Sequence, residues 1–340
     1  MSENNKLGSS GIGGQAVLEG IMMRNKDDYA VAVRKSDGTI EVEVEKYKGI
    51  TKGNKILSLP FIRGVFNFID SMILGIKTLT LSASFFDDEG EEEPDKFEEW
   101  LLRKFGDKAE KIIMRFTVAL SVVIAVVMFM LLPLFIADLM EKYVPGITQS
   151  HVPVIEGIAK MIIFIGYLLL ISLMKDIQRT FMYHGAEHKC INCVEHGLPL
   201  TVENVMKSSR QHKRCGTSFL FLVMLVSICL HFVFVLVPVY WVRLFGRLLM
   251  VPVVAGISFE IIQWAGRTDS RMADIMSKPG LAMQKLTTKE PTEDMAEVAI
   301  KAVEAVFDWR AYLKEEFNWE DPEEQPVSDH DNKEETHENN

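Results

Sequence analysis

Cysteine is scarce in this chain: four residues, Cys190, Cys193, Cys215 and Cys229, among 340. So few thiols, one of them inside an apolar run, supply no disulfide framework and suit a reducing compartment. Cys190 and Cys193 form a C-x-x-C, but no second C-x-x-C completes a four-thiolate site. Nucleotide signatures are missing too. The glycine-rich opening, Gly11 to Gly20 (GIGGQAVLEG), lacks both the Lys-Ser/Thr ending of a P-loop and the G-x-G-x-x-G spacing of a dinucleotide fold. The first residues, MSENNKLGSSGIGGQ, are polar, so no cleavable signal peptide is expected.

Charge is unevenly distributed. Residues 87–99 carry nine acids against one lysine and residues 315–340 eleven against one, so the net −10 of the whole conceals a net +8 elsewhere. Both acidic stretches read as solvated, disordered segments. The basic remainder suits anionic lipid head groups, and no nucleic-acid partner is expected.

Long apolar runs decide the class. A helix needs about 20 residues to cross the hydrocarbon core, and four runs reach that length: about Ile112 to Leu139, Val154 to Met174, Ser218 to Pro238, and Trp241 to Trp264. A fifth helix starts at Ser58 and Pro60 and runs to Phe86. Its charges Arg63, Asp70 and Lys77 recur every seven residues along one stripe. Such a stripe is costly in lipid, so this helix is expected to be interfacial or re-entrant, or to turn its stripe toward protein. Tyr29 to Val33 and Ile40 to Val44 alternate around the turn Ser36-Asp37-Gly38-Thr39, which predicts a β-hairpin with room for a third strand.

The expected fold is mainly α: a polytopic helical membrane protein of about four transmembrane helices plus the interfacial or re-entrant helix, with a small N-terminal cytoplasmic β-hairpin element. Its segments are 1–57 (glycine-rich motif and β element), 58–86 (interfacial or re-entrant helix), 87–111 (acidic linker and juxtamembrane segment), 112–265 (four-helix domain with loop 175–215), 266–314 (C-terminal segment) and 315–340 (acidic tail). Lys175, Arg179, Lys189, Lys207, Arg210, Lys213 and Arg214 crowd the central loop, which puts that loop and both termini in the cytoplasm, with Arg243 and Arg247 dissenting. The cell membrane is the expected location. No stop signal follows the second run, so a helix continuing through Lys175 to Ile191 is expected to lift His184 above the bilayer. Thr292 opens an amphipathic helix with Met295, Val298, Ala299, Ala302, Val303, Val306 and Trp309 on one face.

The chemistry gathers at Tyr183-His184-Gly185-Ala186-Glu187-His188-Lys189. This H-x-x-E-H puts two imidazoles one turn apart, with Glu187 beside them. In an inverted zincin that pattern binds metal through the histidines and keeps the carboxylate as base. A third ligand is expected from Glu260, 72 residues after His188, or from His212. Cys215 also has a competent donor atom, and Glu19, Arg24 and Arg214 are candidates for orienting ligands or substrate. The cofactor would be a divalent transition metal, with zinc a candidate. The alternative for the motif is a polar cluster at the mouth of a helical bundle.

Six motifs in order, GGQAVLEGIMMR, YHGAEHKCINC, EHGLPLTVEN, SSRQHKRCGTSF, VAGISFEII and KLTTKEP, resemble the bacterial YqhQ-like family of uncharacterised integral membrane proteins, often labelled predicted metal-dependent enzymes. Cys190 stands where threonine is expected in that family, and Lys213 where proline is. Two functions are weighed: a membrane-embedded metal-dependent hydrolase, and a non-enzymatic factor that assembles or scaffolds other membrane proteins. A transporter is less favoured, because no inverted repeat is visible.

Overall fold

The computed structural model describes residues 8–86, 103–106, 109–233, 237, 239–268 and 270–320. The acidic stretch 87–99 lies outside the described residues, as does the acidic tail beyond residue 320.

Four antiparallel strands open the chain: β1 (Gly13–Val17), β2 (Gly20–Asn25), β3 (Asp28–Arg34) and β4 (Ile40–Lys46), paired in sequence order. The expected hairpin is β3 and β4. The glycine-rich motif adds the other two strands. Val17 faces Gly20 and Asn25 faces Asp28, so the chain reverses through two-residue turns at Leu18-Glu19 and Lys26-Asp27. Glu19 (φ 48°) and Lys26 (φ 56°) take the left-handed conformation there. Neither is a residue that advertises it, which is why these turns escape a sequence reading.

Both faces of the sheet are covered. Val17, Met22, Tyr29, Val31 and Val33 meet Leu74 of α1 (Ile62–Ser84). Ile21, Met23 and Ala32 meet α5 (Lys175–Glu195) and α10 (Glu293–Glu304) on the other side. Each apolar side chain so buried contributes about 1.5–3 kcal/mol. Helix α10 has the expected face, with Met295, Val298, Ala299, Ala302 and Val303 all buried. Trp309 instead opens α11 (Trp309–Phe317) and packs on the same core.

The remaining helices are α2 (Ala109–Val126), α3 (Leu132–Tyr143), α4 (Val152–Ile171), α6 (Val202–Lys207), α7 (Gly216–His231), α8 (Tyr240–Arg267) and α9 (Arg271–Thr287). A π-helical turn, Val127–Leu131, joins α2 to α3 immediately before Pro133. A residue without an N–H accounts for the disturbed ladder. Among the described residues, four helices are long and apolar enough to cross a membrane: Ile62–Ser84, Ile112–Tyr143, Gln149–Ile171 and Leu244–Ala265. The set differs from the four apolar runs, since α1 qualifies by length and the helix in the third run, Gly216–His231, is shorter.

The continuous stalk does not form. Helix α4 ends at Ile171, and Met174 is extended (ψ 130°) before α5 begins. The break lets α5 turn beneath the sheet, where every residue from Gly185 to Glu195 is buried. Helix α9 runs through Pro279, which a sequence reading takes for a stop.

Candidate metal centre

Helix α5 meets four segments of chain at the motif. Its outer flank carries the KLTTKEP stretch, where the Lys289 N–H donates to the Phe181 carbonyl at 2.9 Å. A Cβ on Gly185 would lie 2.1 Å from the Lys289 carbonyl oxygen, so glycine is what lets the two backbones touch. On the sheet side, a Cβ on Gly14 would meet the Met22 carbonyl at 2.6 Å and Glu187 Cγ at 3.0 Å. The missing side chain of Gly14 therefore leaves room for Glu187.

The loop before α7 is held by one face of α5. Lys189 Nζ donates to the carbonyls of Met206 and Ser208 (2.7 and 2.9 Å), and Asn192 Nδ2 to those of Ser209 and Gln211 (2.6 and 3.0 Å). Buried Gln284 of α9 fastens the next residue, accepting from the His212 N–H at 2.9 Å and donating to its carbonyl at 2.7 Å. Sequence reasoning missed Gln284, whose only signal is a polar residue on a helix face that packs inward.

These contacts orient the imidazoles. His184 Nδ1 lies 3.0 Å from the Thr287 carbonyl, and His188 Nδ1 lies 2.7 Å from the Arg210 carbonyl. A carbonyl only accepts, so each Nδ1 carries a proton, and Nε2 is the nitrogen left for a ligand. The His184 and His188 rings approach to 4.4 Å between centroids. Cys215 Sγ stands 3.3 Å from His184 Nε2. His184, His188 and Cys215 each offer one ligand atom, all within 4.8 Å of one another, a group that could hold a metal ion. Donors on a tetrahedral zinc stand about 3.3–3.8 Å apart given bonds of about 2.0–2.3 Å, so the His184–Cys215 edge is already that length.

Glu187 adjoins the group. Its Oε2 is 3.7 Å from His184 Nε2 and, though buried, has no hydrogen-bond partner. Burial raises its pKa, and the His184 ring and a hydrogen bond from the Gly14 N–H offset this only in part. An unsatisfied buried carboxylate oxygen is costly, and a coordinated water beside the three donors would relieve it. The residues present therefore fit a metal ion with three protein donors and one open position, with a carboxylate beside it.

The other expected ligands are engaged elsewhere. Glu260 forms a bidentate pair with Arg63 of α1 (Nε–Oε1 2.7 Å, Nη2–Oε2 2.6 Å) and accepts from the Phe61 N–H at 3.2 Å. It stands outside the donor group because the close α1–α8 crossing puts Arg63 beside it. A Cβ on Gly64 would meet the Gly256 Cα at 3.0 Å. His212 is 5.8 Å from His188 between centroids but pairs with Glu195 (Nε2–Oε2 3.2 Å). Arg214 and Ser10 also bind Glu195. Burial by itself would raise the Glu195 pKa, but the His212 hydrogen bond and the Arg214 charge bring it down to about 2. Burial pushes the His212 pKa downward, and the hydrogen bond to Glu195 offsets this only in part. Glu19 pairs with Arg179 and reaches the Tyr183 hydroxyl. Arg24 donates to the Lys26 carbonyl and lies over the Tyr47 ring.

Fold and site together define a multi-pass helical membrane protein with a four-stranded sheet packed on its motif helix and a His-His-Cys group where sheet and helices meet. The chain belongs to the family described as "Protein of unknown function (DUF1385)", whose model matches residues 59–309. It is 37% identical over 294 residues to "Uncharacterized protein YqhQ" of Bacillus subtilis (strain 168), an alignment covering 85% of this chain and 90% of that one. No solved structure matches.

Proposed function

We propose that this protein is a membrane-embedded metal-dependent enzyme, a hydrolase, with its centre at the cytoplasmic face of the bacterial inner membrane. His184, His188 and Cys215 hold a divalent transition metal, and mixed nitrogen and sulfur donors favour zinc. A metal with three protein ligands and an open position supplies Lewis acidity toward water and a substrate oxygen. Glu187 accepts the proton that water loses, and its burial and raised pKa bring it toward the range a general base needs. The Thr287 and Arg210 carbonyls keep both Nε2 atoms aimed inward.

A single observation carries this reading: two imidazoles with their Nδ1 atoms anchored to carbonyls and a thiol within ligand range, beside an unsatisfied buried carboxylate. Protein purified in detergent should carry about one metal per chain by plasma mass spectrometry, lost in His184→Ala/His188→Ala and reduced in Cys215→Ser. Unchanged metal content in the double variant rejects the site.

Packing supports this orientation. The sheet, α5 and α10 share one core, so all lie on one side of the bilayer. Among the described residues three long helical stretches, α1, α2–α3 and α4, separate β4 from α5, and on this reading an even number of them cross. Helices α2–α3 and α4 form the outward and return pair, and α1 lies in the interface. Its polar residues meet the sheet along most of its length: Asp70 with the Tyr47 hydroxyl (2.9 Å), Thr78 with Gln15 (2.9 Å), Ser82 with the Leu18 N–H (3.1 Å). Ile62, Ile69, Met72, Ile73, Ile76 and Leu79 form the opposite, exposed stripe, as an interfacial helix requires. A second crossing pair, α7 and α8, returns the chain to α9 and α10 on the same side.

A further inference from the structure

A cavity of about 900 Å³ opens beside the donor group, with His184 and Cys215 among its lining residues. Its two ends differ in chemistry. Toward the apolar helices it is walled by Phe68 and Leu74 of α1, Phe219 and Leu220 of α7, and Phe259 and Ile262 of α8. Phe68 and Phe219 touch across it, with ring centroids 5.6 Å apart. These positions are the first turns of α7 and the last turns of α8, so the wall lies at the depth where bilayer gives way to water. Toward the sheet it is lined by β1, Arg24 and Lys26. Arg24 donates to the Lys26 carbonyl and lies over the Tyr47 ring; its charge also acts on nearby Asp27, but the direct partner of that carboxylate is Lys52. The polar end therefore presents two cations to whatever enters, and the third lining cation, Arg214, is committed to Glu195.

We propose that this cavity binds a phosphate-bearing lipid, with acyl chains between α1, α7 and α8 and an anionic head group at Arg24 and Lys26. This names the substrate class of the centre proposed above and rests on that reading for the word substrate alone. Three physical points select the ligand. An apolar compartment open to the hydrocarbon edge favours a chain that arrives from the bilayer over one that arrives from water. Two basic side chains at the membrane surface favour an anionic head group by about fivefold each. A soluble phosphate compound would leave the aromatic wall unfilled, and a transmembrane peptide would bring few anions to the basic end.

The test is photo-crosslinking of the full chain in neutral detergent. The probes are phosphatidylglycerol and phosphatidylcholine carrying the same diazirine acyl chain. Phosphatidylglycerol should label peptides within 67–74, 216–220 and 259–263 at least about fivefold more than phosphatidylcholine at physiological salt. Arg24→Gln/Lys26→Gln should bring the two probes level while metal content holds. Lys26→Glu sets a negative charge beside Arg24, cancels the net charge of the polar end without disturbing the Arg24 contacts, and should likewise bring the two probes level. Leu220→Trp should reduce labelling by both probes. Equal labelling by the two lipids, unchanged preference in Lys26→Glu, label outside the cavity, or displacement by excess glycerol phosphate as strong as by unlabelled phosphatidylglycerol would each overturn the proposal. Selective labelling of protein that carries no metal would sink the metal centre and leave the lipid site standing.

Discussion

Gly185→Ala puts one methyl group where the structure has least room. Its Cβ would stand 2.1 Å from the Lys289 carbonyl oxygen and 3.3 Å from the Lys289 carbonyl carbon. The obstacle is backbone, so it cannot rotate away, and the KLTTKEP segment must retreat by about an ångström to restore contact distance. Retreat stretches the Lys289 N–H bond to Phe181 and the Thr287 carbonyl contact on His184 Nδ1, now 2.9 and 3.0 Å. Two hydrogen bonds at about 1 kcal/mol each and an overpacking cost of about 1–3 kcal/mol outweigh the roughly 1 kcal/mol that alanine contributes to helix propensity. The net is a destabilisation of about 2–4 kcal/mol. Freed from its carbonyl, His184 also loses its fixed tautomer, and metal affinity should fall about 10–100-fold. Thermal unfolding in detergent and metal titration read the two effects separately. Gly166→Ala in α4, where a Cβ meets nothing within 4 Å, is the control. A Gly185→Ala protein that unfolds like the control and binds metal as tightly would refute the reasoning.

Glu187→Gln should abolish turnover while leaving abundance and metal content unchanged, because Glu187 lies beside the donors and is not one of them. If function persists, or only abundance falls, the protein is an assembly factor rather than an enzyme. Glu260→Gln should weaken the α1–α8 contact through Arg63 yet leave metal stoichiometry intact, a result read by mass spectrometry and thermal unfolding. Glu195 makes stability acid-sensitive. Its folded pKa of about 2 lies below the roughly 4.3 of an unfolded glutamate, so it contributes about 3 kcal/mol above pH 4.3, lost as pH falls toward 2. His212, whose pKa burial lowers, acts in the same direction below about pH 6.5. A Glu195→Gln protein whose unfolding midpoint kept the wild-type slope between pH 5 and pH 3 would contradict this assignment.

The sequence by itself determined whatever depends on local pattern. Twenty-residue apolar runs imply bilayer crossings because an unpaired backbone is intolerable in hydrocarbon. The i, i+4 spacing of His184 and His188 puts two imidazoles on one helix face whatever surrounds them. The Met295 to Val303 stripe required a buried partner, and α10 has one. Tertiary structure decided which side chain joins the two imidazoles, because Cys215 reaches His184 only through carbonyls of residues 206–211 bound by Lys189 and Asn192. It also moved Glu260 to Arg63, since helix crossing depends on where Gly64 and Gly256 let two backbones approach. The break at Met174 belongs with these: no proline or glycine announces it, and it forms where burying α5 against sheet and α10 outweighs one more turn of helix.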